Sequence, residues 1–346
     1  MITLFRDEYE RLIEDARRRG EKKFLVAWNR GLGDIPLCVY GFVALIKKNI
    51  NDAKVTIMTR SGLDEVFRLI RLVDDVITIP HWTREDNLKK GQPVRLDVEE
   101  ELEKLGLKGK FDVIIHNLKA GKWRKRQIGK IVPRLEWREE DRDFNIEILR
   151  LAPQNDKRKC HSEHIRFAQC KLREESNLGG RTTDKYVVSL HIDSETGHIY
   201  GYNKNWDIEK WRGLVKRLLS TYNDIYFILL GLTRHDEPFL DSSFITDMRG
   251  RTDIKQLLSI VTSSKMLIAP DSGILNLVHY LDVDIPLDVI SLWGPAKYGI
   301  LQLKVASPNR LLNHFPLLGK REDINTIVVE DVLKVVKDRY EKRIKC

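Results

Sequence analysis

The feature that most constrains the fold is a rhythm. Short apolar runs, each followed by a longer stretch with helical spacing, occur in two sets of four. The first set is "KFLVAW" (residues 23–28), "KVTIMT" (54–59), "DVITI" (75–79) and "FDVIIH" (111–116). The second is "KYVVSLH" (185–191), "IYFILLG" (225–231), "KMLIAP" (265–270) and "DVISLWG" (288–294). Runs this apolar read as strands covered on both faces, and strands separated by helices pair in parallel. The spacing predicts helices over residues 35–48, 208–220, 254–263 and 274–281, short helical turns elsewhere in the first half, and a polar amphipathic helix over 330–342. Between the sets, over residues 133–183, charges dominate, and "APQNDKRKCH" and "SNLGGRTTD" read as loops. The expected class is therefore α/β, with two Rossmann-like, doubly wound parallel-sheet domains. The N-terminal domain spans residues 1–180 with an irregular linker at about 135–183, and the C-terminal domain spans 184–346.

Composition removes several classes. With 346 residues, 42% apolar and 32% charged, the chain has enough core material for two domains and is not a disordered polymer. Its longest nearly apolar run, "IPLCVYGFVALI", falls short of the ~20 residues that cross a bilayer. The N-terminal stretch carries acids and no apolar signal core, so a cytoplasmic protein is expected. Four cysteines, Cys38, Cys160, Cys170 and Cys346, are too few and too scattered for a disulfide framework. Cys160, His161, His164 and Cys170 do not match a common zinc spacing, and neither metal nor cofactor is expected. The net charge of +9 favours anionic partners without choosing among nucleic acid, acidic lipid and phosphorylated sugar. The charge is dense at "KAGKWRKRQIGK" (119–130) and at "KRK" (157–159).

Ligands of such sheets collect where strand ends lead through glycine turns into helices, and three segments fit. In "NRGLGDIPLC", Gly31 and Gly33 can take positive φ and allow close approach, and Pro36 suits an early helical position. Asp34 lies at or next to the N-cap. It is either a helix cap, at roughly 1 kcal/mol, or a general base kept ionised by the helix dipole. The turn lacks both the GxGxxG and the GxxxxGK[ST] nucleotide patterns. In "APDSGILNLVHYL", Asp271, Ser272 and Gly273 offer backbone N–H groups and a hydroxyl to an anion, or a plain N-cap. "LWGPAKYG" brings a second glycine turn, with Gly294, to the same edge. In "HIDSETGHIYGYNKNW", Lys204 is a lone cation two residues before Trp206. It is either a solvated loop lysine or a group that neutralises a departing phosphate.

Together, "GLGD" after the first strand, "K-x-W" opening the second half, and "DSGILNL" followed by "LWGP" resemble glycosyltransferase family 9. These are the ADP-heptose-dependent heptosyltransferases of bacterial lipopolysaccharide core synthesis, with the GT-B architecture of two domains facing a cleft. The resemblance runs in order from Phe24 to Pro295. It implies Asp34 as catalytic base and Lys204 as the donor-phosphate contact. It places Asp271, Ser272 and Gly273 on the nucleotide-sugar side, with Asn276 where the family usually has histidine, and Gly294 nearby. Asp236 or Glu237, in "RHDEPF", would hold the nucleoside. The run that follows the strand ending at His116, with Asn117, Lys119 and Lys122, is either a solvated basic loop or a clamp for phosphates or sugar carboxylates in which Arg124 and Arg126 could make bidentate contacts. Arg60 and Arg84 could join it, and Gly31 and Gly33 would lie on the same acceptor side.

The activity so implied is inverting and metal-independent. A heptose-like sugar moves from a nucleotide-diphospho-sugar, ADP-heptose-like, to an anionic saccharide or lipopolysaccharide core. A lipid-linked acceptor would add peripheral contact with the inner membrane surface. Three alternatives stand beside this reading: a catalytically silent GT-B scaffold, another GT-B enzyme using a UDP- or GDP-sugar, and a basic nucleic-acid-binding protein. The last rests on charge alone, since no zinc-finger, RNP or homeodomain-like pattern accompanies it, and no nucleic acid is expected.

Overall fold

A computed structural model describes residues 3–82, 97–116, 185–194, 203–231, 239–281, 283, 285–294, 307 and 309–344. The chain divides into two compact units. One comprises Met1–Asp141 with Tyr280–Asp282, the other Arg142–His279 with Val283–Cys346.

In the first unit, helix α1 (Thr3–Arg19) precedes strand β1 (Lys23–Ala27). Then come α2 (Tyr40–Asn49), β2 (Lys54–Arg60), α3 (Asp64–Leu69), β3 (Asp75–Ile79), α4 (Val98–Lys104) and β4 (Val113–His116). The strands form a parallel sheet in the order β3-β2-β1-β4. Phe24, Leu25 and Val26 are all fully buried, so both faces of β1 are covered, as its unbroken apolar run requires. One face packs Leu25, Ala27, Met58 and Ile79 against Val98 and Leu102 of α4. Helix α1 lies outside the predicted elements. It docks on α2, where the Tyr9 and Phe42 rings meet edge to face at 5.2 Å. The helix predicted over 35–48 is composite, with a π-helical turn over Ile35–Val39 followed by α2.

In the second unit the order is β5 (Tyr186–His191), α5 (Ile208–Thr221), β6 (Ile225–Leu230), β7 (Ile245–Asp247), α6 (Ile254–Ser263) and β8 (Met266–Pro270). It continues with α7 (Gly273–Tyr280), β9 (Leu287–Trp293), β10 (Leu312–Leu318) and α8 (Val329–Ile344). Six parallel strands line up as β10-β9-β8-β5-β6-β7. The sequence did not announce β7 and β10. Both lie at sheet edges, β7 is three residues long, and β10 contains Pro316, which a central strand would not accept. Trp206, Trp211, Leu214 and Leu218 cover one face of the sheet together with Val332, Val336 and Tyr340 of α8.

Helix α8 is also fixed by charge. Asp288, on β9, is fully buried. It accepts from Arg343 Nε at 2.9 Å, Arg339 Nη2 at 3.3 Å and Asn313 Nδ2 at 2.9 Å. Arg343 also donates to Pro286 O at 2.8 Å. Removing one member of such a cluster leaves the others desolvated without compensation. Asp288→Ala is therefore expected to lower unfolding stability by about 3 kcal/mol, measured by urea denaturation.

Candidate functional site

The six-stranded sheet reverses direction of growth between β5 and β8. The chain leaves β5 toward β6 and leaves β8 toward β9. The carboxyl ends of two such strands open a crevice between diverging connections, which is where doubly wound sheets take ligands. Both connections bring a predicted site residue there. Lys204, on the connection after β5, places Nζ 2.6 Å from Asp271 Oδ2, just beyond the end of β8. The two side chains are only 14% and 9% exposed. Lys204 is thus neither lone nor, of the two readings, the solvated loop lysine: it is a largely buried partner in an ion pair. Burial of a lysine is tolerated because the carboxylate offsets its desolvation.

The described residues on either side of Lys204 are held in place. Asn205 Oδ1 accepts from Ser194 N at 2.7 Å, and Trp206 Nε1 donates to Ile327 O at 2.9 Å. The Trp206 ring stacks edge to face on Trp211 at 5.0 Å. Gly294, at the end of β9, closes the arrangement. A Cβ there would lie 2.3 Å from Asn203 O, so only glycine lets the two backbones pass.

Asp271 lies just ahead of α7. Its N–H is bonded to Leu292 O at 3.1 Å, so that amide is not available to an anion. Ser272 Oγ accepts from Leu275 N at 3.2 Å, which makes the serine a helix cap. The amides of Gly273 and Ile274, in the first helical turn, have no intrahelical acceptor by construction and carry the positive end of the helix dipole. Asn276 Nδ2 turns back to Ser272 O at 2.9 Å. His191, the last residue of β5, is 2% exposed, and burial pushes its pKa down while Asp193 pulls it back.

In the first unit the equivalent reversal lies between β1 and β4, whose ends align as Ala27 with His116. The "GLGD" turn leaves β1 at this point. Gly31 O accepts from Asp34 N at 3.0 Å. Two expectations are corrected here. Neither Gly31 nor Gly33 adopts a positive φ. Asp34 occupies the N-cap position of the π turn, yet its φ of −85° and ψ of −14° are already helical, and its side chain makes no capping hydrogen bond. A residue in helical conformation points its carboxylate away from the first amides, so capping does not account for Asp34. A π turn immediately after a strand-end loop is a feature concentrated at functional sites. Arg60, at the end of β2, turns back to Ser61 O at 3.1 Å.

Arg84, Asn117, Lys119, Lys122, Arg124, Arg126, Asp236 and Glu237 lie outside the described residues, as do the linker at 135–183 and its Cys160, His161, His164 and Cys170. Among the described residues no cluster of three or more His, Cys, Asp or Glu is placed to hold a metal, and no helix is long and apolar enough to cross a membrane.

No protein-family model matches the chain, and no curated protein matches it in sequence. Solved structures do match, over nearly the whole length. The E. coli ADP-heptose LPS heptosyltransferase II superposes with a TM-score of 0.56 at 12% identity, covering 93% of this chain and 99% of that one. A glycosyl transferase family 9 protein from Veillonella parvula gives 0.54 at 15% identity, covering 93% and 97%. An E. coli heptosyltransferase solved with ADP gives 0.52 at 14% identity, covering 91% and 99%. The fold is that of the heptosyltransferases.

Within that heptosyltransferase fold, the second unit brings together Lys204, Asp271, Ser272, Gly273, Asn276 and Gly294, drawn from three strand ends. The sequence carried no signal for the pairing of Lys204 with Asp271, nor for the anchors in 323–327. Residues that meet only through the strand order cannot be paired from spacing alone.

A pH dependence follows from the buried histidines. His314, on β10, bonds Ser291 Oγ at 2.6 Å, and burial pushes its pKa down to about 4. The unfolded chain takes up this proton near pH 6.5 while the fold resists it. Stability is therefore complete above pH 6.5 and falls as the pH drops toward 4, by roughly 2–3 kcal/mol from His314 and further from His191. Denaturant midpoints measured from pH 7 to 4 check this, and His314→Gln should flatten the slope.

Proposed function

We propose that this chain is an inverting glycosyltransferase that takes a heptose-like sugar from a nucleoside-diphospho-sugar and passes it to a hydroxyl of an anionic saccharide. One observation carries the reading: the buried Lys204–Asp271 pair at the head of α7, at the strand reversal of the second sheet. A desolvated ammonium beside a helix N-terminus is suited to a diphosphate. The structures that share the fold include one described with ADP, which supports ADP as the donor nucleotide.

The chemistry then balances as follows. The acceptor oxygen forms a bond to the anomeric carbon from the face opposite the diphosphate. The bond from that carbon to the phosphate oxygen breaks, and its electron pair leaves with the nucleoside diphosphate. The acceptor proton passes to the carboxylate of Asp34, late in the step, because an alcohol is a weak acid. The leaving group gains negative charge as the bond breaks. Lys204 is held between one carboxylate and the diphosphate, so its attraction shifts toward the phosphate as that charge grows. Binding that strengthens during bond cleavage lowers the barrier, whereas uniform binding does not. Asp271 prevents the empty site from presenting a bare cation to every passing anion.

On the acceptor side, the basic run 119–130 follows in sequence from β4, the strand paired with the β1 that precedes Asp34, and would supply charge for a lipopolysaccharide-core type of acceptor. With a lipid-linked acceptor the protein works in the cytoplasm against the inner face of the membrane. No metal is assigned to the reaction, since Lys204 and the α7 amides serve the diphosphate.

Thermal shift against ADP-, GDP- and UDP-sugars tests the donor, because a ligand of the folded state raises the melting temperature. An ADP-sugar should stabilise the protein, and Lys204→Met should abolish the shift and lower kcat by about two to three orders of magnitude. Asp34→Asn should keep the shift and lose roughly 10²–10⁴ in kcat. Near-normal turnover of Asp34→Asn would remove it as the base. For the acceptor, Arg124→Glu should raise KM and reduce its dependence on salt, with donor KM unchanged.

A further inference from the structure

Asn203, the residue before Lys204, is gripped from two sides. On one side stands the backbone of Gly294. On the other is a turn more than a hundred residues away in sequence, in the segment 319–327 between β10 and α8. Asp323 Oδ1 accepts from Asn203 Nδ2, and the same oxygen accepts from Asn325 N at 2.9 Å. Asn325 Oδ1 accepts from Asp207 N at 2.8 Å. Ile327 O takes both Trp206 Nε1, at 2.9 Å, and Lys210 Nζ, at 3.2 Å. The segment 203–207 that carries Lys204 is thus tied, at Asn203, Trp206 and Asp207, to one short turn.

That turn is built to keep its shape. Arg321 and Glu322 are consecutive non-glycine residues with φ of 53° and 59°, a conformation that such residues adopt only when their surroundings demand it. Gly319 folds so tightly that a Cβ would lie 2.0 Å from Asp323 O, and its N–H is bonded to Trp293 O at 2.7 Å. Thr326 Oγ1 donates to Asp323 O at 2.7 Å, and Ile324 is fully buried in the core of the unit. Backbone strain held in place by this many contacts is a mark of a segment that positions something else.

We propose that Asp323 is a positioning residue, which through Asn203 fixes the loop so that the Lys204 ammonium stays seated between Asp271 and the ligand phosphate. The inference rests on the reading of Lys204 as the donor-phosphate contact. Its structural half, the seating of Lys204 on Asp271, can be read without any ligand.

Two measurements separate the halves. The first is the acylation rate of each lysine by an amine-directed ester, followed by peptide mass spectrometry on the full chain. Lys204 should react slowly in the wild type and about tenfold faster in Asp323→Ala, the scale of losing one hydrogen bond to a charged group. Other lysines should keep their rates. Asp323→Asn, which retains an acceptor oxygen, should behave as wild type. Asn203→Ala removes the other partner and should reproduce Asp323→Ala, which also covers the case of Asp323→Ala failing to fold. The second measurement is turnover with an ADP-sugar. Asp323→Ala should lower kcat and raise donor KM, leave acceptor KM unchanged, and recover in Asp323→Asn. Unchanged Lys204 acylation in the folded variants would overturn the proposal. Faster acylation in a protein that binds no nucleoside diphosphate would uphold the positioning role and sink the donor reading instead.

Discussion

A lysine ammonium and a carboxylate 2.6 Å apart, both almost out of water, set the terms for the second unit. Either charge placed there alone would be desolvated without compensation. Their meeting depends on strand order, since it requires β5 and β8 to be neighbours although four described elements separate them in the chain. It depends next on backbone clearance at Gly294, and then on the turn that anchors the loop. What looks locally like a surface loop with a charged residue is therefore the end product of the sheet topology.

The first unit repeats the same architecture with different chemistry. Its strand reversal presents a carboxylate, Asp34, on a turn that runs straight into helical backbone and then through a π turn. That carboxylate makes no capping hydrogen bond to the helix it precedes. The first sheet thus carries an acid at its reversal, and the second a lysine paired with an aspartate at its own.

Much of this was legible from the residues, for identifiable reasons. All eight runs read as strands are strands, and most of them, such as β1, β6 and β9, are buried on both faces, which leaves the apolar signal undiluted. The edges were not legible: β7 is too short to register, and β10 mixes Asn313, His314 and Pro316 with its apolar residues. Helix α1 went unread since its sequence, TLFRDEYERLIEDARRR, is rich in charge and its docking on α2, through Tyr9 and Phe42, has no local signal. Glycine turns marked where to look. Their conformations were not implied by composition, as the ordinary φ values at Gly31 and Gly33 show. The role of Asp323 left no local trace, because an Asp-x-Asn turn looks the same whether or not another loop hangs from it.

The clamp on Asp288 carries a consequence for how the protein is made. Its two arginine partners lie on α8, 51 and 55 residues further along the chain. A ribosome releases β8 and β9 well before that helix, so the nascent sheet holds a buried acid whose neutralising arginines have not yet been synthesised. Assembly of the second unit should therefore wait for α8, with the sheet held loosely open or guarded by a chaperone until the last helix docks.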